Sequence, residues 1–146
     1  MKIDELVNAK FKNNHHKAVV NIRFTSNWIG NYYTNQLTQF DISLPQFNIL
    51  RILRGANQKL SIKLVKERML EKSPNTTRLI DKLIDKELVL RTRCESDRRV
   101  VYIEISKNGL QMLSEVDDVF DDISKHGSLT EQESIVLSGL LDKIRG

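Results

Sequence analysis

A chain of 146 residues, 40% hydrophobic and 29% charged, can bury one core without staples and does not have the composition of a disordered protein. Its one cysteine excludes an internal disulfide, and no run approaches the roughly 18 apolar residues of a membrane span. The opening MKIDELVNAKFKNNHH carries no apolar signal region, so a single cytoplasmic domain with no membrane partner is the expectation.

The net charge of +4 is unevenly spread. Residues 51–99 hold 14 Lys and Arg against 7 Asp and Glu, whereas residues 107–146 hold 4 against 8. A basic middle and an acidic end suggest a middle segment that meets a polyanion such as nucleic acid.

Along the chain, apolar residues at Val19, Ile22, Ile29, Tyr33, Leu37 and Phe40 predict one long amphipathic helix over about Lys17–Phe40. His15 and His16 just before it would point about 100° apart on a helix, which does not suit a shared metal, and no metal is expected. Phe24, Trp28, Tyr32 and Tyr33 bring four of the nine aromatics onto this helix. They suit packing at a core or dimer surface, or one wall of a pocket for an aromatic ligand.

SLPQ at Ser43–Gln46 has the form of a capping box and opens a helix through Phe47, Leu50 and Leu53 to about Gly55. Ser61 is a cap for a second short helix, with Leu60 and Val65 placed to form a hydrophobic staple. Ser73 with Pro74 repeats that logic for a third, ending near Lys86. Its wheel gathers Leu79, Ile80, Leu83 and Ile84 on one side and Arg78, Asp81, Lys82 and Asp85 on the other, with Asn75 and Thr77 at the flanks.

From Leu88 the period changes. LVLRTR and VVYIEI alternate and are rich in β-branched residues, a two-stranded hairpin with CESDRR at its tip. Ser106 caps a helix striped by Leu110, Leu113, Val116, Phe120 and Ile123, and Thr130 with Glu133 forms a second capping box before Leu137, Leu140, Leu141 and Ile144.

Two short helices, a tight turn and a hairpin describe a winged helix-turn-helix. Arg78 would meet a guanine edge or a phosphate, and Asn75 or Thr77 bases or backbone. Asp81 and Asp85 oppose that reading unless a cation neutralises them, and they leave open a winged-helix module that binds protein. Arg98 and Arg99 at the hairpin tip suit a narrow minor groove, with Asp97 as a brace. Cys94 lies among Arg91, Arg93, Arg98 and Arg99, which would lower its pKa and make a redox switch, but Glu95 and Asp97 offset them and no resolving cysteine exists in the chain. No phosphate loop, nucleophile elbow or metal-ligand spacing marks an enzyme.

SLPQFNILRIL, SPNTTRLIDKLIDKELVLR, DRRVVYIEISKNG and LTEQE resemble, in order and spacing, the MarR-type transcription regulators. The resemblance implies a mainly α protein with a small β-hairpin, a winged helix-turn-helix flanked by N- and C-terminal dimerisation helices. Within one domain over 1–146, it assigns 1–42 and 107–146 to dimerisation and 43–106 to DNA binding. It implies a homodimer on a pseudo-palindromic double-stranded DNA operator, a ligand-responsive repressor without a cofactor, and a pocket for a small aromatic or phenolic effector. Ser73, Asn75, Thr76, Thr77 and Arg78 would read the groove, Lys82, Arg91 and Arg98 would join the DNA contacts, Asp97 would brace, and Arg99 would enter the minor groove. One departure stands out: the family commonly has Gly where this chain has Glu87. If that position needs φ > 0, Glu costs on the order of 1 kcal/mol against Gly.

Overall fold

A computed structural model describes residues 2–8, 10–70, 75–93, 100–126 and 129–146, with side chains described outside 121–126. The long helix starts earlier than its apolar stripe. Asn13 accepts the His16 amide at 2.9 Å, so α2 runs Asn14–Leu37, preceded by a short α1 (Ile3–Val7) that the sequence did not announce. A 3-10 turn, Thr38–Phe40, ends α2 at Asp41, whose φ of 51° turns the chain.

The capping box at Ser43 forms as its residues require: Gln46 Oε1 accepts the Ser43 amide at 3.0 Å, and Ser43 Oγ accepts the Gln46 amide at 3.4 Å. It opens α3 (Leu44–Ala56), which Asn57 closes in the left-handed region, two residues beyond Gly55. Ser61 Oγ accepts the Leu64 amide at 3.2 Å and caps α4 (Ile62–Arg68), with Leu60 and Val65 both buried. The next helix, α5, is Thr76–Asp85. It begins two residues after the start read from Pro74, and the Ser73 cap lies outside the described residues.

The hairpin β2 (Val89–Arg93) and β3 (Val101–Ile105) is antiparallel with Val89 opposite Ile105 and Arg93 opposite Val101. A third strand, β1 (Leu60–Ser61), pairs with the other edge of β3, giving the order β1-β3-β2. Ile103 is fully buried between its neighbours.

Helix α3 is the centre of the core: Ile49, Leu50 and Leu53 pack with Ile80 and Leu83 of α5, Ile103 of β3, and Leu113 and Val116 of α6 (Lys107–His126). Arg54 of α3 holds Asp117 of α6 through two hydrogen bonds, 2.5 and 3.3 Å. The last helix, α7 (Glu131–Arg145), opens on the predicted Thr130–Glu133 capping box but buries none of its residues. Ile135, Leu140 and Ile144 are each more than half exposed, and so are Val19 and Trp28 of α2. Among the described residues no helix is long and apolar enough to cross a membrane.

Candidate nucleic-acid interface

Helix α5 has two faces because its apolar residues sit three and four apart. Ile80 and Leu83 are buried, and Thr77, Arg78, Lys82 and Asp85 are exposed, as is Asn75 just before the helix. Thr76 corrects the sequence reading. It is 1% exposed, and its hydroxyl lies 3.6 Å from Met69 Sδ, so its side chain faces the core and not a groove. Thr76, Ile80 and Leu83 lie at i, i+4 and i+7, the spacing of one helix face, and that signal was available in the sequence.

The wing strand lies beside this face. Arg91 Nη1 stands 3.6 Å from Asp81 Oδ1, so the carboxylate that would repel phosphate has a cationic neighbour. Arg91 and Arg93 are both exposed on β2. Across the sheet, Lys59 reaches Glu104 at 3.5 Å and the Thr92 hydroxyl at 3.4 Å. Arg93 joins Arg91 on the basic strand β2, although the helix-wheel reading had not singled it out, whereas Lys59 lies at the β1 edge of the sheet.

The joint between α5 and the wing turns on Glu87. Its φ is 58°, so the position does need the left-handed region. The Leu88 amide donates to Leu83 O at 2.9 Å and the Glu87 amide to Ile84 O at 2.8 Å, the pair of bonds that closes a helix in a Schellman motif. Ser106 then locks the corner: its hydroxyl donates to Glu87 O at 2.6 Å and accepts the Gly109 amide at 3.0 Å, while its own amide donates to Leu88 O at 3.0 Å. A Cβ at Gly109 would run into the Leu88 carbonyl and the Ile105 side chain. Ser106 and Gly109 thus join α5, the wing and α6 at one point, which fixes where β2 leaves the helix.

Residues 42–101 match the MarR family model. Over 113 residues the chain is 28% identical to the HTH-type transcriptional regulator SarZ of Staphylococcus aureus, covering 77% of this chain and 74% of SarZ. A MarR-like transcription regulator from Bacillus cereus superposes with a TM-score of 0.81 at 25% identity, covering 90% of this chain and 96% of that one. The chain has the winged-helix fold of the MarR-type regulators. A MarR variant from Escherichia coli, crystallised with operator DNA, has the same fold, with a TM-score of 0.79 at 22% identity over 93% of this chain and 99% of that one.

In this fold, α4 and α5 are the helix-turn-helix and β2–β3 the wing. Ser73, Cys94, Asp97, Arg98 and Arg99 lie outside the described residues, so the groove-facing cap, the redox candidate, the brace and the wing-tip arginines are sequence readings only.

The four aromatics of α2 do not make one wall. Phe24 and Trp28 line an open groove of about 600 Å³ between α1 and α2, together with Ile3, Leu6 and Lys17. Tyr33 turns the other way, its ring 4.6 Å from that of Phe120, which meets Phe47 edge-on at 5.1 Å. Nine positions along a helix is about half a turn beyond two full turns, so Phe24 and Tyr33 must oppose each other. Tyr32 lies between, 6.4 Å from Trp28. His16 accepts the Lys12 amide at 3.3 Å and meets Phe11 edge-on, a local contact at the start of α2.

Proposed function

We propose that this chain is a homodimeric transcription regulator that binds a pseudo-palindromic DNA operator in the cytoplasm, acts as a repressor, and releases DNA on binding a small aromatic effector. The observation that carries the reading is the exposed polar face of α5, with Thr77, Arg78 and Lys82, set beside the basic strand β2. In the proposed division, 43–106 is the DNA-binding lobe and 1–42 with 107–146 forms the dimer. The open apolar stripes of α2 and α7 support that division, since surfaces of this kind are normally covered by a partner.

On DNA, Arg78 with Asn75 and Thr77 reads the major groove, Lys82 and Arg91 contact phosphates, and Arg98 and Arg99, braced by Asp97, enter the minor groove. The pairing of Asp81 with Arg91 removes the main objection to this face as a DNA reader. The effector proposal draws support from the organohalide-sensing regulator RdhR, which has this fold (TM-score 0.80, 20% identity, covering 91% of this chain and 80% of that one) and was solved with 2,4-dichlorophenol bound. In this chain the Phe24 and Trp28 groove is the proposed seat, and the single tryptophan reports on it directly.

A salt titration tests the DNA reading. Wild type should bind duplex DNA with an affinity that falls linearly on a log–log plot against salt, and Arg99→Ala should weaken operator binding and reduce that slope by about 1. No binding at low ionic strength would refute the DNA reading and favour a protein-binding winged-helix module.

A further inference from the structure

The end of α5 is tied to the end of α2 by one ammonium group. Lys86, the residue that caps α5, donates to the Asp41 carboxylate at 2.6 Å and also to the Asp41 carbonyl. Asp41 is the left-handed residue at which the 3-10 turn after α2 stops, its amide donating to Thr38 O at 3.1 Å. A few residues on, Gln46 Nε2 donates to Leu79 O of α5 at 3.4 Å, so the same corner grips α5 twice along its length.

Both groups of the pair lie near left-handed corners: Asp41 has φ 51°, and Lys86 immediately precedes Glu87 with φ 58°. The Asp41 side chain is 94% exposed and that of Lys86 32%, so solvent screens the pair and it adds little to the stability of the fold. Its consequence is geometric. It spans from the helix proposed for dimerisation to the helix proposed to read DNA, and it clamps a backbone carbonyl as well as a side chain.

We infer that Asp41 and Lys86 are a positioning pair that sets the angle of α5 against α2, and through it the separation of the two recognition helices in the dimer. The inference rests on the function proposed above. The surrounding charges bear on its electrostatics: Lys82 and Asp85 line the same groove of about 610 Å³ as Asp41 and Lys86. Lys86, through its hydrogen bond and then its charge, holds the Asp41 carboxyl below the usual carboxylate range, so that carboxyl is ionised at neutral pH.

The test is a series of operators whose half-sites are moved apart in one-base-pair steps. Wild type should prefer one spacing. Asp41→Gly suits the positive φ and removes the carboxylate, so it folds, and Lys86→Gln removes the cation. Each should flatten the spacing preference by about fivefold, the lower end of coupling between distant sites. Lys86→Arg should keep the preference.

Electrostatics alone predicts the opposite sign for Asp41→Gly, because deleting a negative charge strengthens binding to any DNA. The positioning role therefore requires that specific binding at the best spacing fall while binding to random duplex is equal or tighter. An unchanged spacing profile in both Asp41→Gly and Lys86→Gln would overturn it. If wild type shows no operator preference at all, the function reading fails instead, and hydrogen exchange decides the pair. The amides of Glu87 and Leu88 should then exchange faster in both variants, and unchanged exchange would overturn the tie.

Discussion

The winged lobe and the helices that flank it spend their apolar residues differently. In the lobe, Leu50, Leu53, Ile80, Leu83 and Ile103 are closed over by each other and by α6. In α7, Leu140 and Ile144 face outward from a helix that buries nothing, and Trp28 of α2 is 59% exposed. The lobe completes its core with Leu37 of α2 and Leu113 and Val116 of α6, whereas α7 and part of α2 leave an apolar surface open. The difference in burial thus separates the part that closes on itself from the part that the proposed dimer would cover.

The largest effect that would sharpen this contrast comes from cutting each region once. Leu83→Ala opens a cavity in a fully buried site and should cost about 2–5 kcal/mol in chemical denaturation. Leu140→Asp should leave the lobe's spectroscopic fold intact and shift sedimentation toward monomer. A Leu140→Asp protein that sediments as wild type would break the comparison.

Gly109→Ala comes next. The added methyl meets the Leu88 carbonyl, a backbone atom that cannot swing aside, so a loss of about 1–3 kcal/mol is expected in thermal or denaturant unfolding. Glu87→Gly runs in the other direction. Relief of the left-handed strain at φ 58° should raise stability by about 1 kcal/mol, and the wing should keep its place because Ser106 binds the backbone of that corner, not the glutamate side chain.

The smallest effect is the acid response of α7. Backbone and then hydroxyl hydrogen bonds from Thr130 lower the Glu133 carboxyl, so its contribution is whole above the ordinary glutamate value of roughly 4.3 and fades as pH falls through the lowered value. Thr130→Ala keeps the backbone N–H and should only reduce that part of the pH dependence of α7 helicity, whereas Glu133→Gln should abolish it. Circular dichroism below pH 4 would check it.

Much of the lobe was legible because its signals are local. Ser43 with Gln46 and Ser61 announce helix starts within four residues, as Thr130 with Glu133 does for α7, and the change of period at Leu88 announces the strands. Glu87 could be questioned because the family the sequence resembles commonly has Gly there, and its φ of 58° shows why. What escaped the sequence reading joins distant residues. β1 exists because Leu60 and Ser61 meet Ile103 and Tyr102, more than forty positions on, and two residues carry no alternation. Asp41 and Lys86, 45 positions apart, give no sign of each other. Thr76 was readable and misread: it shares a face with Ile80 and Leu83, but it was assigned to the groove with the whole segment Ser73–Arg78 that the resemblance implies.

Selection of duplex sequences from a random pool by the purified full chain tests the central claim most directly. The account predicts enrichment of a two-fold symmetric site with half-sites about one helical turn apart, and relaxed selection at one base position per half-site for Arg78→Ala. A pool that emerges unenriched, or one enriched identically by wild type and Arg78→Ala, would contradict the reading of α5 as the element that reads DNA.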